Sequence, residues 1–243
     1  MTPAPQYVIG DIHGQIDMLD QALAWIEADG GRDARVIFLG DLVDRGADSR
    51  GVIDRVMQGI AQGRDWRVVL GNHDRMFARF LQDGEQHDPR IKSGIGWLHP
   101  RLGGVQTLAS YGVAKAADRP LAEVLDQARA AVPQAHRDFI SALPRHIEQD
   151  GLLFVHAGIR PGVPLAHQDP EDLIWIRDGF LEESRPHPWL VVHGHTAIDL
   201  PFHYGNRVNL DGGAGYGRTL YPVVFEGTSA WMLDEAGRLP LVP

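Results

Sequence analysis

Three times within its first 80 residues the chain repeats one scheme: a short β-branched and apolar run, a glycine-led polar turn, then a segment with helical apolar spacing. The runs are Tyr7 to Ile9, Arg35 to Leu39 and Trp66 to Leu70, and the turns are GDIHG at 10–14, GDLVDRG at 40–46 and GNHD at 71–74. Behind them Ile16, Leu19, Leu23 and Ile26, then Val52, Ile53, Val56, Met57 and Ile60, then Met76, Phe77 and Phe80 each fall on one face of a helix. A strand reaches a parallel neighbour only by crossover, and within one sheet that crossover is right-handed. The opening third therefore predicts an α/β fold with a largely parallel core.

From about 82 to 145 the chain turns to Ala, Gln, Arg and Asp, punctuated by Pro120, Pro133 and Pro144, which predicts a mostly helical insertion. Strands return as LLFV at 152–155 and LVV at 190–192, and Val208 to Leu210, Val223 to Phe225 and Trp231 to Leu233 predict a closing meander. This second half is expected to be antiparallel or mixed. With 243 residues, 44% of them hydrophobic, and no internal repeat, one domain over 1–243 carrying that insertion is the expectation. A net charge of -9 offers nucleic acid or an anionic membrane no general attraction, so any cations that hold phosphate must be local. The N-terminal segment lacks a basic stretch followed by an apolar run, and nowhere do about 18 apolar residues follow one another, so a soluble cytoplasmic protein without a membrane partner is expected. Without cysteine there are no disulfides, thiolate ligands or cysteine nucleophiles, and metal ligation has to come from oxygen and nitrogen.

Polar residues gather behind the strands. Asp11 and His13 follow the first, Asp41 and Asp44 the second, Asn72 and His73 the third, His156 follows LLFV, and His193 and His195 follow LVV. In open α/β sheets ligands bind outside the carboxyl ends of strands. Asp and Gly are ordinary turn formers, so GDIHG or GNHD alone would describe a plain loop. Five strand ends in succession, each rich in hard oxygen or imidazole donors, point instead to a metal centre assembled on one rim.

GDIHG, GDLVDRG, GNHD, HAG at 156–158 and GH at 194–195 together resemble the calcineurin-like metallophosphoesterases over nearly the whole chain. DRG and NLDGGAGYG at 209–217 are similar to the phosphoprotein phosphatase branch, particularly its small bacterial and phage serine/threonine phosphatases. The resemblance implies mixed β-sheets in a β-sandwich core flanked by helices. It also implies two divalent ions, with Asp11 and His13 on the first, Asp41 bridging, and Asn72, His156 and His195 on the second. A bridging carboxylate holds such ions about 3.5 to 4 Å apart, where they generate a hydroxide that attacks phosphorus in line without a phosphoenzyme. Mixed carboxylate and imidazole donors suit manganese, the first expectation, or iron or zinc, better than calcium.

By the same resemblance His73 is the general acid, Asp44 hydrogen-bonds its far nitrogen, and Arg45 forks two phosphate oxygens. The family uses a further arginine beyond the HAG strand. Arg177, behind the apolar run Leu173 to Ile176, is favoured over Arg160, which precedes Pro161; the competing reading of Arg177 is a salt bridge to Asp178 or Glu182. His193 stands where eukaryotic relatives often carry arginine, and its role stays open, since residues two apart on a strand point the same way without both reaching an ion. The remaining histidines, His99, His136 and His203 among them, are read as surface or locally bonded. The expected substrate is a phosphorylated protein or a small phosphoester. A serine/threonine phosphoprotein phosphatase leads, with a symmetrical dinucleoside tetraphosphate hydrolase as the alternative. The first motif of those hydrolases more often has Gln where this chain has His13. A non-catalytic phosphate-binding relative is the third reading, and the intact donor set counts against it.

Overall fold

The computed structural model describes residues 4–243. Strands β1 (Gln6–Ile9), β2 (Arg35–Phe38) and β3 (Trp66–Val68) pair in parallel, linked by helices α1 (Ile16–Gly30) and α2 (Ser49–Ala61). The free edge of β1 takes an antiparallel meander from the far end of the chain, β9 (Val223–Glu226), β10 (Ser229–Asp234) and β11 (Gly237–Leu241), giving the order β11-β10-β9-β1-β2-β3. A second sheet gathers β4 (His146–Gln149), β5 (Leu152–Val155), β6 (Leu190–His193), β7 (Phe202–His203) and β8 (Arg207–Asn209) in the order β4-β5-β6-β8-β7. Its inner pairs, β5 with β6 and β6 with β8, are parallel, and both edge pairs are antiparallel. The later strands thus build a second mixed sheet and also close the first.

Alternation along the strands decides what lies between the sheets. Val8 stands opposite Ile37 on one side and Val223 on the other, and this row meets Phe154, Val192 and Val208 of the second sheet in one buried cluster. Phe154 and Phe225 cross edge to face at 6.4 Å. Tyr7, Ile9, Val36 and Phe38 point to the other face, where they pack with Leu19, Leu23 and Ile26 of α1 and Val52, Ile53 and Val56 of α2. Strands covered on both faces read as continuous apolar runs, which is why β1, β2, β5 and β6 were conspicuous. Truncating Phe154 to Ala would remove about 3 to 5 kcal/mol from this layer.

Helix α3 (Asn72–Asp83) follows β3 directly and ends at Gly84 in the left-handed region. Helices α4 (Gly104–Ser110), α5 (Leu121–Ala131) and α6 (Gln134–Ser141) come after it, but residues 85–103 are irregular, where helix was expected to begin. Pro89, Gly94, Gly96, Pro100 and Gly103 interrupt that stretch too often for helical hydrogen bonding. Polar anchors hold it instead: Asp88 pairs with Arg75 of α3, and Arg90 reaches Asp172 at 2.9 Å. Asp172 opens the short helix α7 (Asp172–Trp175). Among the described residues no helix is long and apolar enough to cross a membrane.

Candidate active site

Backbone hydrogen bonds stitch the turns behind the first three strands to one another. The N–H groups of Ile12 and His13 donate to the Asp41 carbonyl at 3.1 and 2.8 Å. The Asp74 carboxylate accepts the N–H groups of Asp41, Leu42 and Gly71 at 2.8, 2.9 and 3.0 Å, tying the second turn to the third. Gly40 has φ 86°, and a side chain there would collide with the Gly71 backbone, so the two turns pack backbone to backbone only because both positions are glycine. The second sheet joins where the His195 N–H meets both Asp11 carboxylate oxygens at 3.1 Å. Seven non-glycine residues among those described have positive φ, and five of them are His13, Asp41, Asp44, Arg45 and His195. Each such conformation costs on the order of 1 kcal/mol or more, and a cluster of them marks a place where geometry is held against local preference.

Asp11, His13, Asp41, Asn72, His156 and His195 are all buried and converge. His13 and His156 each give Nδ1–H to a backbone carbonyl, of Val43 and of Leu39, both at 2.8 Å, which turns their Nε2 lone pairs inward. The inward atoms crowd around Asp41: His13 Nε2 lies 3.5 Å from its Oδ2, and His156 Nε2 lies 3.5 Å from its Oδ1. Asn72 Oδ1 faces His156 Nε2 and His195 Nδ1, each at 2.8 Å. Two three-residue donor groups result, His13 with Asp41 and His73, and Asp11 with Asp41 and His156, and they share Asp41.

Burial pushes the Asp11 and Asp41 carboxyls up, with the charges of Asp211 and Asp74 adding to the effect. It drives the imidazoles of His13 and His195 well down and that of His156 to about 3. Raised carboxyls and lowered imidazoles alike express the cost of burying charge in this donor set, and His195 Nε2 is buried without a partner. Ligand bonds of about 2.1 Å at right angles put donor atoms about 3.0 Å apart, close to the contacts around Asn72. Oxygen and imidazole donors without sulfur suit hard or borderline divalent ions, so the residues present fit a metal centre.

His73 belongs to the same cluster but is tied differently. Its Nδ1–H donates to Asp44 Oδ2 at 2.6 Å, and Trp97 Nε1–H donates to the same oxygen at 2.8 Å. The Thr107 hydroxyl donates to Asp44 Oδ1 at 2.6 Å. Burial pushes the Asp44 carboxyl up to about 7, although Thr107, Trp97 and Arg45 pull it down. Burial lowers the His73 imidazole, and the charges of Arg45 and Arg177 lower it further. Arg45 donates to Nε2 of both His13 and His73, the latter at 3.1 Å.

Arg177 donates to the His195 carbonyl at 3.2 Å and pairs with neither acidic neighbour, since Asp178 takes Lys92 at 3.3 Å and Glu182 accepts the Gly179 N–H at 2.6 Å. Arg160 is held by Asp172 at 2.7 Å. His193 turns away from the donor cluster: its Nε2 accepts from Arg207 at 3.3 Å and its ring lies 5.1 Å from that of Phe180. Strand β6 stops at His193 and His195 lies beyond it with φ 66°, so the shared direction expected of strand neighbours does not arise.

Trp97 and Thr107 carried no sequence signal that set them apart, whereas Asp74 and Asp211 lay within GNHD and NLDGGAGYG without being given a role. Trp97 and Thr107 reach Asp44 from 53 and 63 residues away, beyond any local motif. Above the donors opens a cleft of about 860 Å³. Five cationic residues, Arg45, Arg90, Lys92, Arg160 and Arg177, line it together with five carboxylates, Asp11, Asp41, Asp172, Asp178 and Asp211.

The chain is 26% identical over 224 residues to an asymmetrical bis(5'-nucleosyl)-tetraphosphatase of Geobacillus thermodenitrificans, a match covering 88% of this chain and 87% of that relative. A shorter match, 44% identical over 68 residues, joins 28% of this chain to 24% of a symmetrical bis(5'-nucleosyl)-tetraphosphatase of Bordetella pertussis. The fold is similar to a crystal structure proposed to be a diadenosine tetraphosphatase, with TM-score 0.66, 22% identity and coverage of 98% and 94%. It is also similar to a cold-active protein-tyrosine phosphatase of a psychrophilic Shewanella, with TM-score 0.61, 14% identity and coverage of 98% and 80%. Both of these sequence relatives carry tetraphosphatase names. Residues 5–220 match the model of one family of hydrolases, and the chain belongs to the calcineurin-like phosphoesterases.

Proposed function

We propose that the protein hydrolyses dinucleoside polyphosphates at a centre of two divalent ions, manganese first among them. The observation that carries this reading is the match along 88% of the chain to a relative named as a bis(5'-nucleosyl)-tetraphosphatase. A phosphomonoester needs one guanidinium pair, which Arg45 and Arg177 supply beside the donor cluster. The cleft, about 860 Å³, leaves room beyond a single phosphate, while Arg90, Lys92 and Arg160 on its wall are paired with Asp172 and Asp178. The tetraphosphatase names of the matched relatives support the same substrate class.

In this reading Asp11 and His13 would hold one ion and Asn72, His156 and His195 the other, with Asp41 shared between the two groups. Such ions lower the pKa of water and neutralise phosphate oxygens. Arg45 and Arg177 grip the phosphoryl group and fix its orientation. Negative phosphate placed on these arginines offsets the positive charge that helps keep His73 unprotonated. His73, protonated at Nε2, then delivers that proton to the departing oxygen, while Asp44 holds the ring through Nδ1 and stabilises its charge.

A serine/threonine phosphoprotein phosphatase is the second reading, favoured by His13 at a position where tetraphosphatases more often have Gln. Turnover of diadenosine tetraphosphate and of a phosphopeptide panel, side by side with added manganese, tests the choice. Two molecules of ADP as product identify symmetrical cleavage, and ATP with AMP the asymmetrical kind. Turnover of phosphopeptides alone overturns the dinucleotide reading.

A further inference from the structure

Tyr216 is 65% exposed, yet it lines the cleft beside buried catalytic groups. It sits on a short turn, 214–216, bracketed by Gly213 at φ 82° and Gly217 at φ 83°. The turn is closed by Tyr216 N–H to the Gly213 carbonyl at 2.9 Å and Gly217 N–H to the Ala214 carbonyl at 2.9 Å. The Gly213 N–H is held by Asp211 Oδ1 at 3.0 Å, and the Ala214 carbonyl accepts from the Gln15 side chain at 3.2 Å. At Gly215 a Cβ would stand 2.6 Å from His13 Cδ2 and 3.0 Å from Arg45 Cδ, so the turn presses against both residues. An exposed tyrosine on so well-anchored a turn is held in place.

The ring has a cationic neighbour. The Arg45 guanidinium lies over it, 5.1 Å from the centroid. Arg177, the other arginine assigned to phosphate, lines the same cleft. Trp175, another aromatic in the lining, is engaged already, its ring set edge to face with His195 at 5.9 Å. What remains free beside the phosphate grip is a flat π surface of high exposure.

We propose that Tyr216 is the nucleobase platform of the cleft, stacking the base of the nucleoside whose phosphates Arg45 and Arg177 hold; this rests on the dinucleotide reading above. Every base offers a π face, so such a platform selects nucleotides over bare phosphate chains without selecting among bases. Arg45 then joins the two parts of the substrate, its planar group stacked on the ring and its N–H groups turned to phosphate.

The test is steady-state kinetics of the parent, Tyr216→Phe and Tyr216→Ala proteins with manganese, on diadenosine tetraphosphate and on inorganic tripolyphosphate, which has no base. Tyr216→Ala should raise KM for the dinucleotide about tenfold more than KM for tripolyphosphate, within the range for one base on one aromatic side chain. Tyr216→Phe, which keeps the ring, should restore the parent ratio. An equal change on both substrates, or a Phe variant as impaired as Ala, overturns the platform while leaving the dinucleotide reading intact. A parent enzyme that does not turn over the dinucleotide overturns both.

Discussion

His73 gives its Nδ1–H to Asp44 Oδ2 across 2.6 Å, and its own backbone N–H to Asp41 Oδ1 across 2.9 Å. One residue is thereby fixed to the proposed proton relay and to the proposed metal bridge at once. A ring oriented in this way points Nε2 into the cluster, where it is suited to carry a proton.

Replacing His73 by Asn should leave metal content near that of the parent and lower turnover by about 10² to 10⁴ on alkyl phosphates, whose leaving oxygens need a proton. Aryl phosphates and polyphosphates leave as weaker bases and should lose less. Metal analysis with kcat on the two substrate types checks this, and equal losses would assign His73 to positioning.

Asp41→Asn should separate stability from activity. Asn keeps an acceptor for the His73 N–H and removes a buried charge close to other carboxylates. The metal-free variant should melt at or above the parent, by about 2 to 4 °C for each kcal/mol of repulsion relieved. Its metal occupancy and turnover should both collapse. Full occupancy with parent-like turnover in the purified variant would end the two-metal assignment.

Arg177 and Arg160, which both line the cleft, should behave differently. Arg177→Ala should weaken inhibition by inorganic phosphate and reduce kcat/KM together, about 10-fold to 100-fold for the loss of a charged hydrogen bond to substrate. Arg160 is already neutralised by Asp172 and 61% exposed, so Arg160→Ala should have a smaller effect on both. The reverse order of effects would move the phosphate clamp to Arg160.

Trp97→Phe deletes the indole donor to Asp44 while keeping an aromatic ring against Phe77 and Phe80. A hydrogen bond to a charged group contributes about 1.5 to 3 kcal/mol, so turnover should drop about tenfold or more if that bond serves catalysis. Stability should fall with it, since the smaller ring leaves part of a tightly packed site empty. A melting shift without any change in kcat would reduce Trp97 to a packing residue.

The sequence disclosed the donor residues because each lies within four positions of an apolar strand, where chain order and space agree. It disclosed β1, β2, β5 and β6 because strands buried on both faces are apolar throughout. It did not reveal β4, whose residues are mostly half-exposed at a sheet edge, or β7, which is two residues long. Nor could it show Val223 beside Val8, a pairing across most of the chain that local periodicity does not encode. Trp97 and Thr107 stayed hidden for the same reason, and His193, conspicuous by its place before His195, turns instead to Arg207.

Asp11 meets the His195 backbone across 184 residues of chain. A nascent polypeptide finished as far as Arg145 already owns Asp11, His13, Asp41, Asn72 and His73, but no imidazole from the second sheet. Contacts of such long range are repaid only after large loops have closed, so the halves of the site should come together late in folding. A cation gripped from both sheets opposes their separation. Because its grip forms after the folding barrier has been crossed, the ion should govern how slowly the finished protein opens, and leave the speed at which it forms nearly unchanged.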